Sequence, residues 1–587
     1  MNRREFLSLT AGSILAGSER TATESDLYAV GLDGRRIDHV EILCTWSGTL
    51  CRLRAINRGP SVRVKEIVVA SQRLVLPADT ALYGEGFQML SQTAGTVGSP
   101  ADLSQYTDAR HYRIPAASDT RSYYGLLTVT PSNADTRLFA FTSCARFSGR
   151  FQIDPGYQVK AIVDTEGLEL RAREAWPIEE LMIASGSDRS RLLSEVAKRL
   201  ATHHPPLRTA APPTGWCSWY CFGPRVTAQQ VLDNLDVIAK QFPSLKYVQI
   251  DDGYQSAMGD WLSTGAAFGG NVRTVLDQIR RRGFQPAIWV APFVAEESST
   301  LFKDHPDWFI KDERGAPLRS DRVTFGGWRR GPWYALDGTS PPVQEHLEQL
   351  FRTMRNEWGC TYFKLDANFW GAMHGGRFHD PAATRIEAYR RGMAAILRGS
   401  GDAFILGCNH PIRPSIGVVH GSRSSNDIRR TWDRVASTAR QNLARNWQNG
   451  TLWWNDPDAV VVSGELSDSE AQFHATAIYA CGGMVLSGDD LTRIPSARAA
   501  MLRKLLPPTG VAAVFQDAAL EIGIMRLPAS RMACFFNWGD APRTLSLRLE
   551  RPTTIVDHWA DRPLGQREGT LTIEMAPRSA RLFKLTP

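Results

Sequence analysis

The chain has 587 residues, 43% of them hydrophobic and 22% charged, with a formal net charge of +7. That is the composition of a globular protein long enough for roughly two to four domains. Lysines and arginines are interspersed without long runs, which excludes a nucleic-acid footprint, and no stretch is apolar for long enough to span a membrane as a helix.

In chain order, Asn2-Arg3-Arg4-Glu5-Phe6-Leu7 precedes a short, weakly apolar segment from Leu9 to Gly17. A twin arginine in that setting resembles a Tat export signal. It predicts a signal-like segment over 1–20 and a periplasmic or secreted protein. Residues 21–205 are β-rich. Alternating segments such as Val62–Val69, Tyr124–Val129, Arg137–Thr142 and Tyr157–Val163 are separated by turn residues, which predicts an N-terminal β-sandwich. A helical stretch over 186–202 follows, and Pro205, Pro206, Pro212 and Pro213 mark a linker.

From 206 to 507 strands and helices alternate. Eight apolar strand segments are legible: Gly215–Tyr220, Tyr247–Asp252, Gln285–Phe293, Thr361–Asp366, Phe404–Cys408, Val418–Arg423, Leu452–Asp456 and Gly483–Leu486. Amphipathic stretches such as Thr227–Gln241, Val272–Arg282, Pro342–Trp358, Thr384–Arg398, Trp432–Trp447, Ser467–Tyr479 and Ser496–Leu505 follow most of them. This order predicts a central TIM (β/α)8 barrel with a long irregular loop over 296–335. Residues 508–587 return to short strands and predict a small antiparallel C-terminal β-domain, read as a second β-sandwich.

Within the fourth strand segment, Lys364 and Asp366 sit among Tyr362, Phe363 and Leu365. Ionised groups at the end of a buried strand are costly unless paired or used, and the C-terminal ends of barrel strands are where chemistry collects. Asp366 is thus a candidate nucleophile with Lys364 holding it ionised. A structural lysine–carboxylate cap fits the stretch equally well. Other strand ends carry acids too: Asp251 and Asp252, Asp427, Asp456, then Asp489 and Asp490. Trp216, Trp219, Trp289, Trp370, Trp453 and Trp454 lie among them. Carboxylates that bind hydroxyls and indoles that cover C–H faces suit a sugar. Two carboxyls in different environments can split a glycosidic bond, one as nucleophile and one as acid/base. Asp427, Asp252 and Asp456 all remain candidates for the second role.

Other chemistries find no support. The histidines are scattered and form no H-E-x-x-H frame, there is no G-x-S-x-G elbow, and no Walker A loop or dinucleotide fingerprint occurs. The nine cysteines are too sparse for a disulfide framework, with Cys44–Cys51 as one permitted bridge; Cys217 and Cys221 lack a second ligand pair for zinc.

Ordered motifs run through the barrel: Gly215-Trp216-Cys217-Ser218-Trp219-Tyr220, Gln249-Ile250-Asp251-Asp252-Gly253-Tyr254, Ile288-Trp289-Val290-Ala291-Pro292-Phe293, Tyr362-Phe363-Lys364-Leu365-Asp366, Ile405-Leu406-Gly407-Cys408, Gly421-Ser422-Arg423 with Asp427, and Trp454-Asn455-Asp456-Pro457-Asp458. With them the chain resembles the melibiase-type α-galactosidases of glycoside hydrolase family 36, close to the raffinose-synthase branch. The resemblance implies Asp366 as nucleophile and Asp427 as acid/base in a retaining mechanism. It further implies that Asp251 and Asp252 bind the galactose 4- and 6-hydroxyls, Lys364 those near C3 and C4, and Arg423 the region of the 2-hydroxyl. Trp289 and Trp219 are expected to bind substrate, with Cys408 beside the 2-position. The implied substrate is an α-galactoside oligosaccharide or glycan, with no metal or organic cofactor. One departure stands in the N-terminal domain, where Gly86-Phe87-Gln88-Met89-Leu90-Ser91 puts Leu90 at a position the family often fills with Trp. An α-galactosyl transglycosylase and an α-N-acetylgalactosaminidase use the same machinery, and a non-catalytic sugar-binding barrel is the rival of another class.

Overall fold

The computed structural model describes residues 27–115, 120–515 and 517–587, so the signal-like segment over 1–20 lies outside the described residues. The N-terminal domain is two antiparallel sheets of six and eight strands. Side-chain alternation sorts its faces. Along Leu50–Asn57, Cys51, Leu53 and Ala55 are buried while Arg52 and Arg54 are exposed. Leu53 and Leu127 from one sheet meet Ile67 and Val163 from the other in a shared core, the expected sandwich. Cys44 and Cys51 are free thiols in the hairpin over Val40–Asn57, with their sulfurs 3.0 Å apart. The helix Arg189–His203 closes the domain; Asp188 caps it by accepting the Arg191 N–H at 3.0 Å.

The barrel strands are β1 (Thr214–Cys217), β2 (Tyr247–Ile250), β3 (Gln285–Val290), β4 (Tyr362–Leu365), β5 (Phe404–Gly407), β6 (Gly421–Arg423), β7 (Trp454–Asp456) and β8 (Val485–Ser487). All neighbours pair in parallel from β7 back to β1, and β8 pairs with β1. Between β7 and β8 no ladder forms. The Met484 N–H donates to the Asn455 carbonyl at 2.8 Å across that seam, so the barrel is nearly closed. Seven of the predicted helices are present, within a few residues of their expected ends. Three start on reciprocal caps that are legible as S/T-x-x-E/Q: Thr227 with Gln230, Thr384 with Glu387, and Ser467 with Glu470. The first strand is shorter than expected. It ends at Cys217, and Trp219–Phe222 forms a helical turn, with Ser218 Oγ between them accepting the Asp251 N–H from the next strand end at 3.0 Å.

Inside the barrel, Cys217, Ala287, Tyr362, Phe404, Leu406 and Met484 fill the lower layers, and Tyr362 stacks on Phe404 at 5.2 Å. Along β4 the period of two turns Tyr362, Lys364 and then Asp366 inward, whereas Phe363 faces out against Phe351 of the helix Pro341–Asn356. The C-terminal domain is one continuous six-stranded antiparallel sheet. Its long strand Arg543–Asp557 breaks register between Leu549 and Thr553. Leu545 and Leu571 thereby join Ala533 and Phe535 in one small core. Among the described residues no helix is long and apolar enough to cross a membrane.

Candidate active site

A cavity of about 290 Å³ opens at the C-terminal ends of the barrel strands. It brings together Trp219, Asp251, Asp252, Trp289, Lys364, Asp366, Cys408 and Asp427. These sit at or just past the C-terminal ends of β1 to β6, so six different strands deliver them to one place.

Asp366 is held on both oxygens by neutral donors. Oδ2 accepts from Trp289 Nε1 at 3.0 Å. Oδ1 accepts from Asn409 Nδ2 at 2.7 Å and from the Ala367 N–H at 2.7 Å. Ala367 and Asn409 both adopt left-handed backbone, with φ of 53° and 42°. For Ala367 that conformation costs on the order of 1 kcal/mol, and it folds the amide back onto the carboxylate.

Lys364 does not hold Asp366, contrary to the expectation from their adjacency. Residues two apart on a strand share a face but stand roughly 6.6 Å apart along it. Lys364 Nζ instead crosses to Asp251 Oδ2 at 2.9 Å. Burial works against the ammonium, but Asp251 outweighs it and holds Lys364 well above its usual range. Asp251 also accepts from Gln249 Nε2 at 2.6 Å and from the Asp252 N–H at 2.9 Å. Burial pushes Asp252 up to about 6, although Arg329 and Gln255 bond its Oδ1. Its Oδ2 is buried without a hydrogen-bond partner among the described residues.

Asp427 is the exposed carboxylate of the set, with a side chain 54% accessible. Behind it lies Arg423, only 2% exposed and off the cavity wall. Arg423 Nη2 reaches Asp427 at 2.7 Å and Asp458 at 2.6 Å. Tyr220 donates its hydroxyl to Asp458 at 2.6 Å and stands 3.4 Å from Asp427. The two acids around this guanidinium part company. For Asp427, Arg423 overcomes desolvation and holds the carboxyl below the usual range. For Asp458, burial wins over Arg423 and pushes the carboxyl up.

Several expected rim groups lie elsewhere. Asp456 accepts the Asp458 N–H at 3.1 Å and orients that turn. Asp489 accepts from Arg430 at 2.7 Å and from the Val462 N–H at 2.9 Å, and Asp490 caps the turn Leu491–Arg493. These are structural caps, as isolated strand-end acids usually are. Of the indoles, Trp219 and Trp289 line the cavity, but Trp216, Trp370, Trp453 and Trp454 do not.

Sequence reasoning missed Asn409, Trp328 and Phe325, as well as His111 and Tyr112 of the N-terminal domain, all of which line the cavity. Asn409 directly follows Cys408, but only its left-handed turn aims it at Asp366. Leu90 does reach the cavity edge. Its loop is pinned to the barrel where the Met89 N–H meets the His410 carbonyl at 3.0 Å and Arg445 Nη1 meets the Met89 carbonyl at 2.6 Å. His111 stacks on Phe325 at 3.8 Å, tying the same domain to the long loop between β3 and β4.

The melibiase family model matches residues 245–394, the segment that carries β2, β3, β4 and Asp366. That segment is similar to the melibiase family. The chain is 27% identical over 208 residues to an A type blood α-D-galactosamine galactosaminidase from Flavonifractor plautii, a stretch that is 33% of this chain and 18% of that protein. The chain spans about a fifth or less of the curated relatives it matches first. Its fold matches an α-galactosidase from Thermus thermophilus, solved with p-nitrophenyl α-D-galactopyranoside. The TM-score is 0.64 at 22% identity, covering 87% of this chain and 98% of that one. It also matches a family 36 α-galactosidase from Geobacillus stearothermophilus, at TM-score 0.65 and 12% identity, over 96% and 89% of the two chains. The melibiase match covers the Asp366 side of the cavity; Asp427 and its cluster fall beyond it.

Proposed function

We propose that this melibiase-type chain is a retaining glycoside hydrolase that releases terminal α-linked galactose, with Asp366 as nucleophile and Asp427 as acid/base. One observation carries the reading. Asp366 is bonded on both oxygens by neutral N–H groups while the nearest ammonium is engaged by another acid. A carboxylate bonded only by neutral N–H groups is not tied up in a salt bridge and is left to meet an electrophile. Asp251 and the free Oδ2 of Asp252 accept sugar hydroxyls, and Lys364 donates to them. Asp366 attacks the anomeric carbon as Asp427 protonates the glycosidic oxygen, and water activated by Asp427 then hydrolyses the ester. Asp427 rests ionised, so it needs a proton source. Asp458, raised by burial, stands one hydroxyl away through Tyr220. The twin-arginine N-terminus adds an exported location to the proposal.

The test is turnover of p-nitrophenyl α-galactoside with the first-formed sugar read by NMR. α-Galactose is the expected product, and β-galactose would refute retention. Asp427→Ala is expected to slow unactivated oligosaccharides by about a thousandfold and the nitrophenyl substrate far less, because a good leaving group needs little protonation. Equal losses on both would remove the acid/base role. The Flavonifractor relative favours assaying the α-N-acetylgalactosaminide alongside, and an added acceptor sugar separates transfer from hydrolysis.

Asp252 sets a pH dependence. Its carboxyl is raised to about 6, so it protonates as pH falls through 6 and ceases to accept a second hydroxyl. kcat/KM is expected to drop about tenfold per pH unit below that value, with KM carrying the change. Asp252→Asn should lower the plateau and remove that limb. An unchanged limb in the variant would assign it to another group.

A further inference from the structure

An open groove of about 720 Å³ begins where the inner cavity ends. Asn426 lines both, and its side chain accepts the Asp427 N–H at 2.8 Å. The groove therefore adjoins the proposed acid/base. A general acid must touch the glycosidic oxygen, so the part of a substrate beyond that oxygen has to pass Asp427. The groove is where that part can run.

Its charge is not balanced. Four arginines and two aspartates line it. Arg110 and Arg121 both bond Asp102, each at 3.0 Å. Arg429 and Arg434 have no hydrogen-bond or ion-pair partner for their guanidinium groups among the described residues. Most arginines elsewhere in the chain are paired with a carboxylate or a carbonyl. The inner cavity has the opposite character, with Asp251, Asp252, Asp366 and Asp427 on its wall. An anionic group is repelled there and welcomed in the groove. Guanidinium groups pair with carboxylate and sulfate through two parallel N–H bonds.

We infer that the leaving-group side of this site takes an anionic saccharide, a sugar bearing a carboxylate or a sulfate, with Arg429 and Arg434 as its charge partners. This rests on the glycosidase reading above. The test compares kcat/KM for galactose α-linked to a neutral hexose, to a hexuronic acid and to a sulfated hexose. Each is assayed with the full-length protein and with Arg429→Gln, Arg434→Gln and the double variant. At low salt the unmodified protein is expected to favour an anionic glycoside over the neutral one by about tenfold, a preference that shrinks as salt rises from roughly 10 to roughly 300 mM. In the double variant the anionic-to-neutral ratio falls by about the same factor. Preference for one of the two anionic substrates tells carboxylate from sulfate. Equal kcat/KM on neutral and anionic glycosides, or a ratio untouched in the double variant, overturns the inference and leaves the glycosidase reading standing. Absence of turnover on every α-galactoside overturns both.

Discussion

Asp366→Ala is expected to lower kcat on α-galactosides by about four to six orders of magnitude, while the variant keeps its fold. Alanine offers no atom to the anomeric carbon, so the two-step route loses its covalent intermediate. The lost side chain is small, and its partners, Trp289 Nε1 and Asn409 Nδ2, face a cavity that water can fill. Asp366→Asn is a poorer control, because its amide would set N–H donors against the same donors. Azide supplies a second readout. In the alanine variant it can occupy the vacated space and attack an activated aryl α-galactoside from the same face, giving β-galactosyl azide. Formation of that product places the nucleophile at position 366. A variant that retains more than about one per cent of the rate would move the nucleophile elsewhere.

The largest expected effect on stability comes from a site that does no chemistry. Arg445 and Glu85 are each 1% exposed and join the barrel to the N-terminal sandwich, with Arg445 Nη2 2.5 Å from Glu85 Oε2. The same guanidinium bonds the Met89 carbonyl at 2.6 Å and the Ser424 carbonyl at 3.0 Å. Arg445→Met leaves a buried carboxylate whose remaining donors are Tyr83, at 2.6 Å, and Gln448, at 3.3 Å. Breaking a buried pair from one side costs about 3–5 kcal/mol. Denaturant unfolding should show that loss, and Glu85→Gln added to Arg445→Met should recover part of it. Because Met89 and Leu90 line the cavity, KM should rise as well. A variant as stable as the parent, with unchanged KM, would mean that the contact at Met89 and the packed core carry the domain junction without this pair.

Much of this protein was legible along the chain. Period-two and period-3.6 patterns marked the barrel strands and their helices, and reciprocal caps such as Thr384 with Glu387 marked where helices begin. Those signals are local, so one sequence suffices to read them. The acids after β2, β4 and β6 were also legible, since a carboxylate after an apolar run stands out. Which of the strand-end acids work was not. Asp489 has the same sequence setting as Asp252, yet it is consumed by Arg430 and the backbone of Val462.

Sequence alone determined the class of the fold, the order of its domains and the position of Asp366. Tertiary structure decided the partners. Lys364 joins Asp251 because the register of β2 to β3 to β4 sets their side chains at one height inside the barrel, while its own chain neighbour Asp366 stands a layer above. Asn409, Leu90 and His111 enter the cavity because a left-handed turn and a docked domain carry them there. Such contacts join residues far apart in the chain. No local pattern encodes them, because the free energy that selects them comes from packing across the barrel and between domains.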